Sequence, residues 1–94
     1  MRDVVRNLFP TAAAVEKLGR RRITLVEVRQ LPRNRYLVLL NPRYVGPRRE
    51  ARRLVVGKTN GGRVLTLVVE RTADPTDWLV ITGWDSANHE RRMI

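Results

Sequence analysis

Cysteine is absent from this chain of 94 residues. Its absence excludes disulfide scaffolds, thiolate zinc sites and cysteine nucleophiles. Histidine occurs once, as His89, and serine once, as Ser86. A single histidine without cysteine argues against a catalytic metal site. No nucleophile-elbow sequence surrounds Ser86. Gly57-Lys58-Thr59 looks like the end of a phosphate loop, but the upstream glycine spacing is missing and a hairpin turn follows. No cofactor is expected. Long apolar runs are lacking too: those at residues 36–40 and 64–69 fall far short of the ~20 residues of a membrane span. The charged N-terminus does not read as a secretory signal. The expectation is a cytoplasmic protein with no membrane partner.

Negative charge is scarce. Asp and Glu number 9 against 19 Lys and Arg, a net charge of +10. Hydrophobic residues at 43 % and charged residues at 30 % make a globular mixture rather than a disordered one. This length gives a single domain, residues 1–94, with a small core. The excess charge favours a polyanionic partner: nucleic acid, a membrane surface or an acidic protein. Arginine supplies 17 of the 19 cations. Its planar donor fork suits phosphate and stacks on bases, although a GC-rich genome produces the same bias through codon usage. The charge is concentrated: residues 20–53 hold eleven arginines against Glu27 and Glu50, whereas residues 54–94 sum to zero. A solvated face that keeps a small protein soluble is the plainer account of such a run, but this concentration points to an anionic ligand.

Local signals give an α+β order. Thr11 is placed to cap a first helix, with Ala14, Val15 and Leu18 on one face and Gly19 at its end. Thr24 and Glu27 have the spacing of a capping box for a second helix, and Ile23 and Val28 that of a hydrophobic staple; Pro32 stops this helix near Gln30. Arg20, Arg21 and Arg22 form a basic turn between the two. Residues 36–40 read as a buried strand and residues 41–51 as a basic loop. Residues 52–59 and 63–71 read as strands flanking Asn60-Gly61-Gly62, where either Asn-Gly or Gly-Gly makes a two-residue turn. Both choices put Leu54 and Val56 on the core face with Leu65, Leu67 and Val69, and Lys58 and Arg63 on that face beside the turn. Residues 72–77 are a loop and residues 78–84 the last strand. Asp85 or Ser86 caps a short terminal helix. Period two places Trp78, Val80, Thr82 and Trp84 on one strand face, as a base-stacking platform or as core under a helix.

RNA cleavage needs only a base for the 2′-hydroxyl, cations for the phosphorane and an acid for the leaving oxygen. Lys58, Arg63, Glu70, Arg71, His89 and Arg91 are the residue types for those roles. Each also has a plain structural reading: hairpin-tip charges for Lys58 and Arg63, a cross-strand pair of Glu70 with Arg53, and a helix-surface position for His89.

From residue 52 onward the chain resembles BrnT-like toxins, small basic proteins of type II toxin–antitoxin pairs. Gly57-Lys58-Thr59 and Gly62-Arg63 match the family's hairpin. Val80-Ile81-Thr82-Gly83 stands where the family has Ile-Ile-Ser-Ala, and Ser86-Ala87 and Glu90-Arg91 follow. The family's arginine falls at Trp84, and Asp85 adds a negative charge beside it. The resemblance implies a RelE/ParE-like fold: two N-terminal helices on a four-stranded antiparallel sheet, with a short C-terminal helix. It also implies metal-independent RNA cleavage or a related block on translation, and neutralisation by a cognate acidic antitoxin protein. A non-catalytic nucleic-acid-binding or gyrase-directed module is the alternative on the same fold. The resemblance adds weight to Lys58, Arg63, Glu90 and Arg91, alongside Glu70 and His89, as catalytic residues. Arg21, Arg22, Arg52, Arg53, Arg71 and Trp84 complete the expected nucleic-acid contacts.

Overall fold

The computed structural model describes residues 3–40 and 49–94. The expected loop at 41–51 lies mostly outside them; its last residues, Arg49–Ala51, form a 3-10 turn. Five strands make one sheet: β1 (Asn7–Pro10), β2 (Tyr36–Leu39), β3 (Arg52–Lys58), β4 (Val64–Arg71) and β5 (Asp77–Asp85), in the order β1-β5-β4-β3-β2. Three short helices accompany it: α1 (Ala12–Arg20), α2 (Leu25–Gln30) and α3 (Asn88–Arg91).

The expected four-stranded antiparallel sheet is corrected to a mixed five-stranded one. The additional strand, β1, precedes Thr11 and runs parallel to β5, with Leu8 opposite Trp78 and Pro10 opposite Val80. The remaining pairs are antiparallel. A four-residue strand whose partner lies 70 residues downstream has almost no local signature.

Both helix starts form as their sequences dictate. The Thr11 hydroxyl accepts a hydrogen bond from the Ala14 amide at 3.1 Å. At α2 the capping box is complete: Thr24 Oγ1 accepts from the Glu27 amide and Glu27 Oε1 accepts from the Thr24 amide. Ile23 and Val28 are both buried, as the staple requires. The end of α1 departs from the expectation. Gly19 stays inside the helix, and the left-handed closing position falls to Arg22, with φ of 58°. The Ile23 amide reaches the Leu18 carbonyl and the Arg22 amide reaches that of Gly19, the two bonds of a Schellman motif. Ala14 and Leu18 face the core, whereas Val15 stays exposed.

The β3–β4 turn is the second correction. Lys58 pairs with Val64, and Thr59 exchanges backbone bonds with Arg63, so three residues rather than two form the loop. Gly62, with φ of +87°, supplies the left-handed residue that such a loop needs. The extra residue reverses the pairing of faces. Val55 faces Leu67, and Gly57 faces Leu65. These residues, with Val69, Trp78 and Val80, form the helix side of the sheet, packed with Leu18, Ile23, Val28 and Leu31. Leu54, Val56, Thr66 and Val68 lie on the far side and are buried as well. Each fully buried aliphatic side chain contributes ~1.5–3 kcal/mol, so the helix-side cluster is the main source of cohesion.

A bulge divides β5. Val69 pairs with Val80 but Val68 pairs with Thr82, leaving Ile81 without an opposite residue. Trp78 and Val80 therefore face the helix side, while Thr82 and Trp84 face the far side with Val68 and Thr66. The expected four-residue aromatic platform does not exist. Trp78 is core, and its indole N–H donates to the Val4 carbonyl.

Candidate nucleic-acid interface

The turn geometry separates the two expected phosphate binders. Arg63 projects to the helix side with Leu65, and Lys58 to the far side with Val64. Arg63 is a structural node. Its Nε and Nη2 donate to the two carboxylate oxygens of Asp85 at 2.6 and 2.9 Å. Its Nη1 donates to the Arg22 carbonyl at 2.8 Å and lies 3.2 Å from each Glu27 carboxylate oxygen. Its Nη2 also reaches the Arg21 carbonyl at 3.2 Å. All the donor nitrogens are engaged, so the fork has no edge left for a phosphate. Bonds to Asp85 and Glu27 hold the Arg63 pKa above its ordinary value despite burial. The Asp85 carboxyl is lowered chiefly by its Arg63 bonds, and that of Glu27 chiefly by the Thr24 amide and then by Arg63.

Lys58 is exposed at the other side of the same tip. Its amide donates to the Arg35 carbonyl, and its own carbonyl accepts from the Asn34 side chain. Gln30 and Asn34 bind Asn60, so the tip is laced to α2 and to the turn that follows it. Exposed Arg35 thus stands beside Lys58, a neighbour that sequence spacing of 23 residues does not reveal.

On the far side, α3 closes over Trp84. Glu90 is buried, and its Oε1 accepts from the Trp84 indole N–H at 3.1 Å and from the Ala87 amide at 2.8 Å. Burial raises the Glu90 pKa, but the Ala87, Trp84 and Thr66 hydrogen bonds outweigh it and leave the carboxyl below its usual value. A buried carboxylate held by neutral donors is an anchor rather than an open proton acceptor. Thr66 and Ser86 share a hydroxyl bond of 2.8 Å beneath it. Arg91 Nε donates to the Ser86 carbonyl at 3.1 Å, and the Ser86 amide donates to the Val64 carbonyl. Val64 faces Lys58. Lys58, Arg91 and exposed His89 therefore cluster at the hairpin end of the far side.

Glu70 is remote from that group. It pairs with Arg52 at 3.2 Å, six residues along the sheet from the Lys58–Val64 pair. At ~3.3 Å per residue the separation is about 20 Å, beyond any shared proton transfer. Its cross-strand partner is Arg52 rather than the expected Arg53. Arg53 and Arg71 instead bracket Asp3, at 3.0 and 2.8 Å, and Arg71 stacks 4.9 Å from the centre of the Trp78 ring. Arg21 Nη1 donates to the Gly83 carbonyl at 2.6 Å and lies 3.3 Å from the Thr82 hydroxyl. The Arg22 side chain is exposed. Arg43 and Arg48 lie outside the described residues.

The carboxylates are thus taken up within the fold. Asp3, Glu16, Glu27, Glu70 and Asp85 pair with Arg53 and Arg71, Arg20, Arg63, Arg52 and Arg63 respectively. Among the described residues, Arg22, Arg35, Lys58, Arg91 and Arg92 have no carboxylate within ion-pairing distance. No cluster of three or more metal-ligating side chains occurs among the described residues. No helix among them is long and apolar enough to cross a membrane. No family model, curated protein or solved structure matches this chain.

Proposed function

We propose that this protein binds RNA through the sugar–phosphate backbone, at the hairpin end where Lys58 and Arg35 stand together and Arg91 joins Lys58 on the far side. The observation that carries this reading is the distribution of ion pairs. Acidic residues neutralise the arginines that brace the fold and leave Lys58, Arg35, Arg91 and Arg92 uncompensated. Surface cations without internal partners release counterions from a nucleic acid and gain affinity by doing so. The test is fluorescence anisotropy of a labelled single-stranded RNA against salt. Binding that weakens with salt, with a shallower slope for Lys58→Ala, supports the reading. Salt-independent binding, or none, overturns it.

A second reading is a metal-independent ribonuclease toxin restrained by an acidic antitoxin protein. One observation favours it: His89 is exposed on α3, near the Lys58 and Arg91 cations that could hold a phosphate. In this version Arg63 and Glu90 brace the site, Glu70 is too distant to take part, and His89 transfers protons. Incubation of purified protein with RNA in excess EDTA checks it. Cleavage abolished by His89→Ala, together with a growth defect relieved by a neighbouring gene, supports the toxin. Intact RNA removes it and leaves the binding reading in place.

A further inference from the structure

A groove of about 240 Å3 runs between α2, the 3-10 turn that follows it (Leu31–Arg33) and the outer edge of β1. Arg6, Arg29 and Arg33 line it together with Leu8, Phe9 and Pro32, and no carboxylate does. Arg29 and Arg33 have no acidic partner among the described residues. Arg6 is partly compensated, because its charge helps to lower the Asp74 pKa, but that carboxylate is itself bonded to Thr76. Phe9 is 49 % exposed, an unusual position for one of only five aromatic side chains in a small protein.

We propose that this groove is a second site, for a single-stranded nucleic acid, in which the Phe9 ring stacks on a base while Arg29, Arg33 and Arg6 hold the adjoining phosphates. The proposal rests on the RNA-binding reading and adds a separate surface to it. Exposed aromatics interleaved with arginines suit a single strand, whose bases are free to stack. An extended acidic peptide fits less well, because such a peptide binds by adding to the sheet through backbone bonds. The β1 edge has little to offer it. The Asn7 and Thr11 amides donate inward to the Thr76 and Val80 carbonyls. By the alternation of a strand, the Leu8 amide is the outward one, and Pro10 has no N–H to give. Recognition at this edge must therefore come from side chains. The volume is also below the ~300 Å3 at which enclosed small-molecule sites begin, which suits a strand lying across the groove.

The experiment uses the full chain and a single-stranded RNA carrying 2-aminopurine, read by anisotropy and by base fluorescence. Phe9→Leu is expected to weaken binding about tenfold and to abolish the fluorescence change, without altering the salt slope. Arg29→Ala/Arg33→Ala is expected to reduce the slope of log K against log salt by about 1.4, two single-strand phosphate contacts. These positions are exposed, and thermal melts confirm that the variants fold. If both variants bind like the unaltered protein while Lys58→Ala binds less well, the groove is not a site and the RNA reading survives. If the unaltered protein binds no RNA, both fall. Polyglutamate binding that needs Arg29 and Arg33 but not Phe9, with RNA affinity unchanged in the same variants, assigns the groove to an acidic protein and overturns the proposal.

Discussion

The Arg63 guanidinium and the Asp85 carboxylate meet in a two-pronged ion pair, at 2.6 and 2.9 Å, that fastens the hairpin tip to the end of β5. Through its remaining donors Arg63 also holds the α1–α2 turn. An arginine expected at a scissile phosphate is thereby assigned to holding elements together.

Arg63→Ala should therefore lower stability by about 2–3 kcal/mol, since charge-assisted hydrogen bonds are lost and two carboxylates are left without their cation; the partial exposure of the pair keeps the cost below that of a fully buried one. Lys58→Ala, at an exposed position, should stay within ~0.5 kcal/mol of the parent. Urea titrations of the two variants make the comparison. Equal stability would mean that Arg63 is no brace.

Acid should loosen the same node. The Glu27 and Asp85 carboxyls titrate below their ordinary values of 4.5 and 3.8 in the folded protein. A depressed carboxyl stabilises the fold at pH above its unfolded value, and that contribution is lost as pH falls through the folded one. Stability should be level from neutral pH to about 5 and decline from about pH 4.5 downward, with a smaller decline in Asp85→Asn. Thermal melts across this range measure both curves.

Arg22 closes α1 in a left-handed conformation that costs a non-glycine residue roughly 1 kcal/mol or more. Arg22→Gly should stabilise the protein by up to about 1 kcal/mol, less the entropy gained by the unfolded chain. A lower melting temperature for this variant would show that the Arg22 side chain supports the fold by other means.

Gly83 lies where α1 crosses β5. A Cβ there would come within 2.6 Å of Leu67 Cδ2 and 3.1 Å of both Leu18 Cδ2 and the Thr66 carbonyl oxygen. Gly83→Ala should cost about 1–3 kcal/mol by overpacking, measurable as a lower denaturation midpoint with an unchanged slope.

Local chemistry was legible in the sequence where it acts over a few residues. Thr11, the Thr24–Glu27 box and the Asn60-Gly61-Gly62 turn mark elements that form at those places. The turn's length was not, because Asn-Gly and Gly-Gly both advertise two-residue loops while Thr59 closes a three-residue one with Arg63. That single residue decides which side of the sheet Lys58 and Arg63 occupy. The bulge at Ile81 likewise lies hidden in an apolar run with no glycine or proline to mark it, two residues before the Gly83 that could suggest one. The β1 edge and its groove depend on a partner strand 70 residues away, and Asn7-Leu8-Phe9-Pro10 carries no hint of it. The surplus of positive charge was evident from composition, but which cations remain uncompensated is settled by tertiary ion pairs.

The parallel pairing of β1 with β5 also orders events in time. As the chain leaves the ribosome, residues 7–10 emerge among the first, yet their partner, residues 77–80, is among the last to be made. Until then Leu8 and the strip of sheet it covers have nothing to close against, so the nascent protein must carry an open seam for most of its synthesis.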